Sequence, residues 1–217
     1  IRSIRLRLAP EGRYILIGSL ALAFISFSVI TEGNMAWIGY IFLFLFLFSL
    51  NFFRDPYRSI PEGDDKIVSP ADGKIVAIKS ITDSITGEER QLISIFLNVF
   101  NVHTNRMPID GKFESVFYKK GKFLAAFDHA ASDENEQTVI EISTNRGKVG
   151  LRQIAGLVAR RIHCYAIEGN QMSKGDRLGF IMFGSRTDLI LPMNVNIKVE
   201  MGQKVTGNQS IIGEWNG

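Results

Sequence analysis

Cysteine is almost missing from this chain. Cys164 stands alone among 217 residues, so no intrachain disulfide can form. Nothing in the sequence therefore calls for an oxidising compartment. Cys164 lies in the apolar run Ile162-His163-Cys164-Tyr165-Ala166-Ile167, where a buried structural thiol is expected. Net charge is scarce too. At +3, the chain lacks the basic excess of a nucleic-acid-binding domain. Metal-ligand spacing is absent, with no His-x-His, no cysteine pair and no carboxylate cluster, so no metal is expected. There is no glycine-rich phosphate loop, no internal repeat and no long amphipathic helix after residue 60.

What the chain has in excess is apolar sequence near its N-terminus. Tyr14 to Ile30 is almost wholly apolar, and so is Met35 to Phe53, with only Thr31-Glu32-Gly33-Asn34 between them. As helices these runs reach about 26 and 28 Å at ~1.5 Å per residue, close to the ~30 Å hydrocarbon core. The Phe/Leu alternation from Ile41 to Phe48 has the period of a strand, but both of its faces would be apolar, and an open sheet edge is not tolerated in lipid. The reading is a hydrophobic helical hairpin. A buried hairpin in a soluble core is the competing reading, but two such runs would overfill a small core. No small-residue cleavage pattern follows the first run, which argues against a cleaved signal peptide. Arg2, Arg5, Arg7 and Arg13 precede the first run, Arg54 and Arg58 follow the second, and the loop carries only Glu32. The positive-inside rule then puts both ends in the cytoplasm, with the remaining chain on the cytoplasmic face of the cell (inner) membrane.

From Asp55-Pro56 onward the composition changes to short β-branched runs between Gly-rich turns. Lys74 to Lys79, Leu92 to Val99, Thr138 to Thr144, Ile162 to Ile167 and Leu189 to Val199 read as strands. Asn145-Arg146-Gly147 reads as a hairpin turn, and Ser173 to Gly179 as a turn between strands. Ala125 to Ala131 reads as a brief helix. The expected fold is mainly β, a small β-sandwich or barrel, in two parts: a membrane-associated hairpin over 1–53 and a β domain over 54–217.

Three histidines are candidates for chemistry. His163 interrupts an apolar strand and reads as packed; His129, in Asp128-His129-Ala130-Ala131-Ser132-Asp133, reads as solvated. His103 follows an apolar strand and is rimmed by Asn and Arg in Asn98-Val99-Phe100-Asn101-Val102-His103-Thr104-Asn105-Arg106-Met107-Pro108, which is the placing of a site residue. Asp72, in Ser69-Pro70-Ala71-Asp72-Gly73, and the pair Gly184-Ser185 each read as turns when taken singly.

Taken in order, Phe52-Phe53-Arg54-Asp55-Pro56, Ser69-Pro70-Ala71-Asp72-Gly73, Asn98-Val99-Phe100-Asn101-Val102-His103-x-Asn105-Arg106, Asn135-Glu136, Ile154-Ala155-Gly156-x-x-Ala159-Arg160-Arg161-Ile162 and Phe183-Gly184-Ser185-Arg186-x-Asp188 resemble the phosphatidylserine decarboxylase family, in its short membrane-anchored bacterial and archaeal branch. The resemblance runs from residue 52 to about 200. It implies self-cleavage between Gly184 and Ser185 into chains 1–184 and 185–217, which stay associated. It also implies a covalent pyruvoyl group made from Ser185, which decarboxylates phosphatidylserine by Schiff-base chemistry. His103 would be the base, with Asp72 fixing its tautomer; Arg106 and Arg186 would meet the head-group phosphate. The partners implied are the anionic phospholipid and the membrane, and no nucleic acid. Archaetidylserine, which has the same head group, stays open as substrate. So do a soluble pyruvoyl amino-acid decarboxylase and a non-catalytic membrane-anchored β-barrel adaptor, though an adaptor has no reason to hold Asp72, His103 and Gly184-Ser185 together. Two departures stand out. Longer family members carry a second histidine where this chain has Arg106, and their cleavage motif reads Leu-Gly-Ser-Thr rather than Phe183-Gly184-Ser185-Arg186.

Overall fold

The computed structural model describes residues 7–29, 36–82, 87–122, 134–156, 161–182 and 185–216. The chain forms two compact units, Ile1–Tyr57 and Arg58–Gly217. The helix expected over Ala125 to Ala131 and the surroundings of His129 lie outside the described residues.

In the first unit a short 3-10 turn, Pro10–Gly12, leads into α1 (Arg13–Val29), and α2 (Ala36–Phe52) follows. The helices run antiparallel. A side chain at Gly12 would collide with the Phe53 ring at one end of the pair, and one at Gly39 with the Phe27 ring at the other. Phe27 and Tyr40 meet edge to face at 5.2 Å. Small residues line the seam: Ser19, Ala23, Ser26, Gly39 and Ser49 are buried. The Ser19 hydroxyl is satisfied by the Ile15 carbonyl at 2.7 Å. Small residues at such a seam let the two helix backbones approach closely. The outer surface is apolar, with Phe24 72% and Phe44 66% exposed. Pro10–Ser28 is long and apolar enough to cross a membrane; Ala36–Phe52 is apolar but shorter. Arg54 Nη1 donates to the Asn51 carbonyl at the end of α2, where a cation suits the helix dipole.

The second unit is mainly β. Among the described residues its strands are β1 (Lys66–Val68), β2 (Gly73–Thr82), β3 (Glu89–Leu97), β4 (Thr104–Arg106), β5 (Gly111–Lys119), β6 (Gln137–Thr144), β7 (Gly147–Ala155), β8 (Ile162–Cys164), β9 (Gln171–Met172), β10 (Arg177–Ile181), β11 (Ser185–Pro192), β12 (Val195–Ile197), β13 (Lys204–Val205) and β14 (Ile211–Trp215). An eight-stranded sheet runs in the order β13-β2-β3-β11-β7-β6-β5-β9, and two three-stranded sheets run β1-β14-β12 and β4-β10-β8. Period-two alternation turns Ile93, Ile95, Leu151, Leu189 and Leu191 inward, against Ile67, Leu178, Val195, Ile212 and Trp215 of the smaller sheets. This is a sandwich core, and each fully buried Leu or Ile contributes about 1.5–3 kcal/mol. The hairpin at Asn145-Arg146 joins β6 and β7, with Thr144 opposite Gly147. Gly147 takes φ +146, a conformation that a residue with a Cβ rarely adopts. The run expected from Ile162 to Ile167 is shorter, ending at Cys164. The run from Leu189 to Val199 divides into β11 and β12 around Met193-Asn194.

On the other side of β11, Arg186 Nε donates to Asp188 Oδ1 at 2.7 Å, with 2% and 0% of the two side chains exposed. Arg186 Nη2 reaches Ser94 Oγ on β3 at 2.5 Å. Removing one partner strands a buried charge, which costs about 3–5 kcal/mol, whereas removing both costs far less. Asp188→Ala should therefore lower the unfolding free energy by about that amount, as read by urea denaturation. Arg186→Leu/Asp188→Leu should recover most of the loss. A single variant within 1 kcal/mol of the parent would show that the pair carries little stability.

Candidate active site

Ser185 is the first residue of β11, and its backbone is paired on both sides, with Leu97 at the end of β3 and Ala155 at the end of β7. Phe183 and Gly184 lie outside the described residues. The Ala155 neighbour is itself pinned. Its carbonyl accepts Asn135 Nδ2 at 2.8 Å, and its N–H donates to the Glu136 carbonyl at 2.9 Å. The Asn135-Glu136 motif thus braces the strand that flanks Ser185.

His103 lies in the connection from Leu97 to β4. That connection opens with a self-bonded turn in which Asn101 N–H donates to the Asn98 carbonyl and Asn98 N–H to Asn101 Oδ1. The His103 side chain is fully buried. Its Nδ1 lies 2.9 Å from the Asn101 carbonyl oxygen. A carbonyl can only accept, so the bond requires the proton on Nδ1 and leaves the lone pair on Nε2. That is the tautomer of a general base. The His103 carbonyl in turn accepts Ile181 N–H at 3.3 Å, four residues ahead of Ser185. The segment carrying His103 is therefore joined to the Ser185 segment on both sides, through Leu97 and through Ile181.

A buried polar chain makes a third link. Asn105 Nδ2 donates to Thr187 Oγ1 at 3.1 Å, and Gln153 Nε2 donates to Asn105 Oδ1 at 2.8 Å. All three residues have no exposed surface. Room for this chain explains Gly179: a Cβ there would lie 2.6 Å from Gln153 Nε2 and 2.2 Å from the His163 carbonyl oxygen. β4 is thereby locked to β7 and β11.

Asp72 departs from the expectation that it fixes the His103 tautomer, because the Asn101 carbonyl holds Nδ1. The Asp72 carboxylate receives a two-pronged Arg58 guanidinium, with Nη1 on Oδ1 and Nη2 on Oδ2 at 2.7 Å. It also accepts Gly207 N–H at 2.8 Å. Such a fork is among the stronger polar contacts a partly buried pair can make. The same loop touches β4, since Arg106 N–H donates to the Pro70 carbonyl at 2.8 Å. Asp72 thus anchors the start of this unit beside the His103 strand.

Arg186 is corrected. It was expected at the substrate phosphate, but it is buried, ion-paired with Asp188, and sits across the sheet from Thr187. Arg106 is half-buried, with Nη1 3.4 Å from the Gly175 carbonyl oxygen. His163 is half-buried on β8 opposite Phe180. Cys164 is half-buried, and its desolvation pushes the thiol above its ordinary pKa, which keeps it protonated and unreactive. Sequence reasoning missed Arg58, Asn101, Gln153 and Thr187 as site residues. The available signal was the polar run Arg152-Gln153 just before the apolar end of β7 and Ser185 to Asp188 at the head of β11.

The family model for phosphatidylserine decarboxylase matches residues 45–213. A phosphatidylserine decarboxylase proenzyme of Chlorobaculum tepidum is 38% identical over 215 residues, covering 98% of this chain and 100% of that protein. One of Nitratidesulfovibrio vulgaris is 43% identical over 213 residues, covering 98% and 96%. One of Burkholderia lata is 47% identical over 174 residues, covering 80% and 81%.

Proposed function

The chain belongs to the phosphatidylserine decarboxylase family, and on that premise we propose that it decarboxylates phosphatidylserine to phosphatidylethanolamine with a pyruvoyl group made from its own Ser185. The observation that carries the reading is the double tether between the His103 segment and the strand that Ser185 heads.

The residues fit such a group. It must form at a chain end created by cleavage, and that end must stay in place after the bond to Gly184 is lost. Ser185 meets both needs, because its backbone is laddered to Leu97 and Ala155, which would both lie on the larger product chain. Once formed, the pyruvoyl group supplies the electron sink for loss of carbon dioxide.

In maturation, Ser185 Oγ attacks the Gly184 carbonyl carbon and passes its proton to His103 Nε2. The peptide C–N bond gives way to an ester C–O bond. Elimination across Cα–Cβ of residue 185 then releases Gly184 as a carboxylate, and water converts the resulting dehydroalanine to the ketone with loss of ammonia. The Asn101 carbonyl holds Nδ1–H and so keeps Nε2 available for each proton step. In turnover, His103 Nε2 returns a proton to the substrate α-carbon. Burial of His103 and Phe180 keeps bulk water from that proton. Arg106 meets the head-group phosphate. Asp72 acts as a positioning residue through Arg58 and Gly207. The hairpin holds the unit at the cytoplasmic face of the membrane, where the lipid lies; the apolar exterior of α1 and α2 and the flanking arginines support this.

Cleavage at Gly184-Ser185 should give a 33-residue C-terminal fragment blocked to Edman sequencing, and Ser185→Ala should stay whole and inactive. Intact mass checks both. An active protein showing only the undivided 24.3 kDa chain would remove the pyruvoyl reading.

His103→Ala should block or slow cleavage by a factor of about 10² or more, the usual worth of a general base. Asp72→Asn should slow it less, and His129→Ala and His163→Ala should cleave normally. The fraction cleaved over time, on denaturing gels, decides. Fast, complete cleavage of His103→Ala would take the base role from it.

Deleting residues 1–50 should move the protein to the soluble fraction. Activity on phosphatidylserine in bilayers should fall more than activity on dispersed short-chain lipid. Equal activity on both would argue against the hairpin as the membrane device.

A further inference from the structure

The connection between β3 and β4 opens with a turn that is apolar outside and polar inside. Val99 is 37% exposed and Phe100 67% exposed, whereas Val102 just beyond is 4% exposed and anchors the loop. The asparagines on either side turn back on the backbone. Asn98 Oδ1 accepts the Phe100 N–H at 2.9 Å, and Asn101 Oδ1 accepts the Asn98 N–H at 2.9 Å. The Asn98 carbonyl accepts the Asn101 N–H at 3.0 Å. Positions 98 to 102 carry no ionisable side chain.

A single exposed apolar side chain needs no explanation. Two in a row at the tip of a turn, above N–H groups satisfied from within, are different. A turn whose donors depend on water is held in water. This one can leave it, because its own carboxamides supply the acceptors that an apolar medium lacks. It has no charge to desolvate, and its tip carries the kind of side chain that enters the boundary between head groups and acyl chains.

The turn stands beside the proposed reaction centre. Asn98 follows Leu97, the residue paired with Ser185, and Asn101 supplies the carbonyl that holds His103 Nδ1. A diacyl lipid keeps its tails in the bilayer while its serine reaches residue 185, and one phosphodiester is all that separates that serine from the glycerol. Some surface bordering Ser185 must therefore meet the membrane boundary. Met193 makes the contrast. It is 50% exposed but follows β11 at the end away from Ser185, about 25 Å off at ~3.3 Å per residue, and no such demand falls on it.

We propose that the turn at 98–101 is a second membrane contact, in which Val99 and Phe100 enter the head-group boundary of the bilayer. The lipid head group then arrives beside the segments that carry His103 and Ser185. The purpose of the contact rests on the decarboxylase reading; its place rests on exposure and on the geometry of the turn. The hairpin tethers the chain, and the turn presents the reaction centre to the lipid.

The test uses the full chain in vesicles of phosphatidylcholine and phosphatidylglycerol. With Cys164→Ala in place, a fluorophore is attached at Phe100→Cys or at Met193→Cys. Phosphatidylcholine brominated on its acyl chains should quench the label at 100 about threefold more than the label at 193, and aqueous iodide should do the reverse. A label at 100 that iodide reaches as readily as the one at 193 would overturn the proposal. So would a label shielded from iodide yet untouched by brominated lipid, which would mean that a protein surface covers the turn. In a second arm, Val99→Ser/Phe100→Ser should cleave as the parent does. Its kcat/KM on phosphatidylserine in bilayers should fall about fivefold or more, while that on dispersed short-chain phosphatidylserine stays within about twofold. Val99→Leu/Phe100→Leu should match the parent on both. Failure of the serine variant to cleave, equal losses on both substrates, or no loss on either would each overturn the proposal. If the parent is neither cleaved nor active, the decarboxylase reading fails on its own, and the quenching comparison still decides whether the turn enters the bilayer.

Discussion

Strand β11 is gripped along both edges, by eight register pairs to β3 and six to β7, so a cut at its N-terminal end frees no strand. Each backbone bond contributes only about 0.5–1.5 kcal/mol net, but the segment from 185 onward also places Leu189, Leu191, Val195, Ile212 and Trp215 in the core. β13 and β14 then pair with β2 and β1 of the preceding chain. A protein that breaks its own backbone at this point loses one covalent link and keeps the sheet. Everything proposed for Ser185 depends on that grip, because a reactive chain end is useful only if it stays where it was made.

The same constraint explains why polar residues crowd a central strand. Arg186, Thr187 and Asp188 lie just ahead of the strand expected from Leu189. In the sheet they are buried, and each is satisfied sideways: Arg186 by Asp188 and Ser94, and Thr187 by Asn105. Burial of such groups is tolerable only when the partners are supplied, and here they come from β3 and β4. The sheet thus carries a polar layer next to the proposed reaction centre where an apolar one would have left the His103 and Ser185 segments less firmly related.

Legibility in the sequence followed the range of the interactions. The hairpin was legible because two long apolar runs are a local signal that no soluble β domain produces. The β class was legible from β-branched runs and Gly-rich turns. Ser185 and His103 came from their motifs, and the structure sets their segments side by side. Arg186 misled because charge was taken as exposure; its partner Asp188 was two residues away, but only the central position of β11 makes the pair buried. Asp72 was expected beside His103, while its fork from Arg58 depends on a loop closure that no local pattern shows. The Asn105-Gln153-Thr187 chain joins residues up to 82 positions apart and is visible only once three strands are placed.

Position 106 gathers these threads. Longer relatives are expected to keep a second histidine there, and this chain has an arginine. β4 is only three residues long, and its middle residue, Asn105, is committed to the eight-stranded sheet by two hydrogen bonds. That commitment fixes the rotation of the strand, so Arg106 must face away from Thr187 and toward Arg177. A base at 106 would need to work from that far face. On the proposed reading the proton work falls to His103, whose Nδ1 is already held by the Asn101 carbonyl and needs no carboxylate to orient it. One short segment, 101 to 106, thus carries both a buried histidine whose Nδ1 is occupied and an asparagine that locks the strand to the eight-stranded sheet.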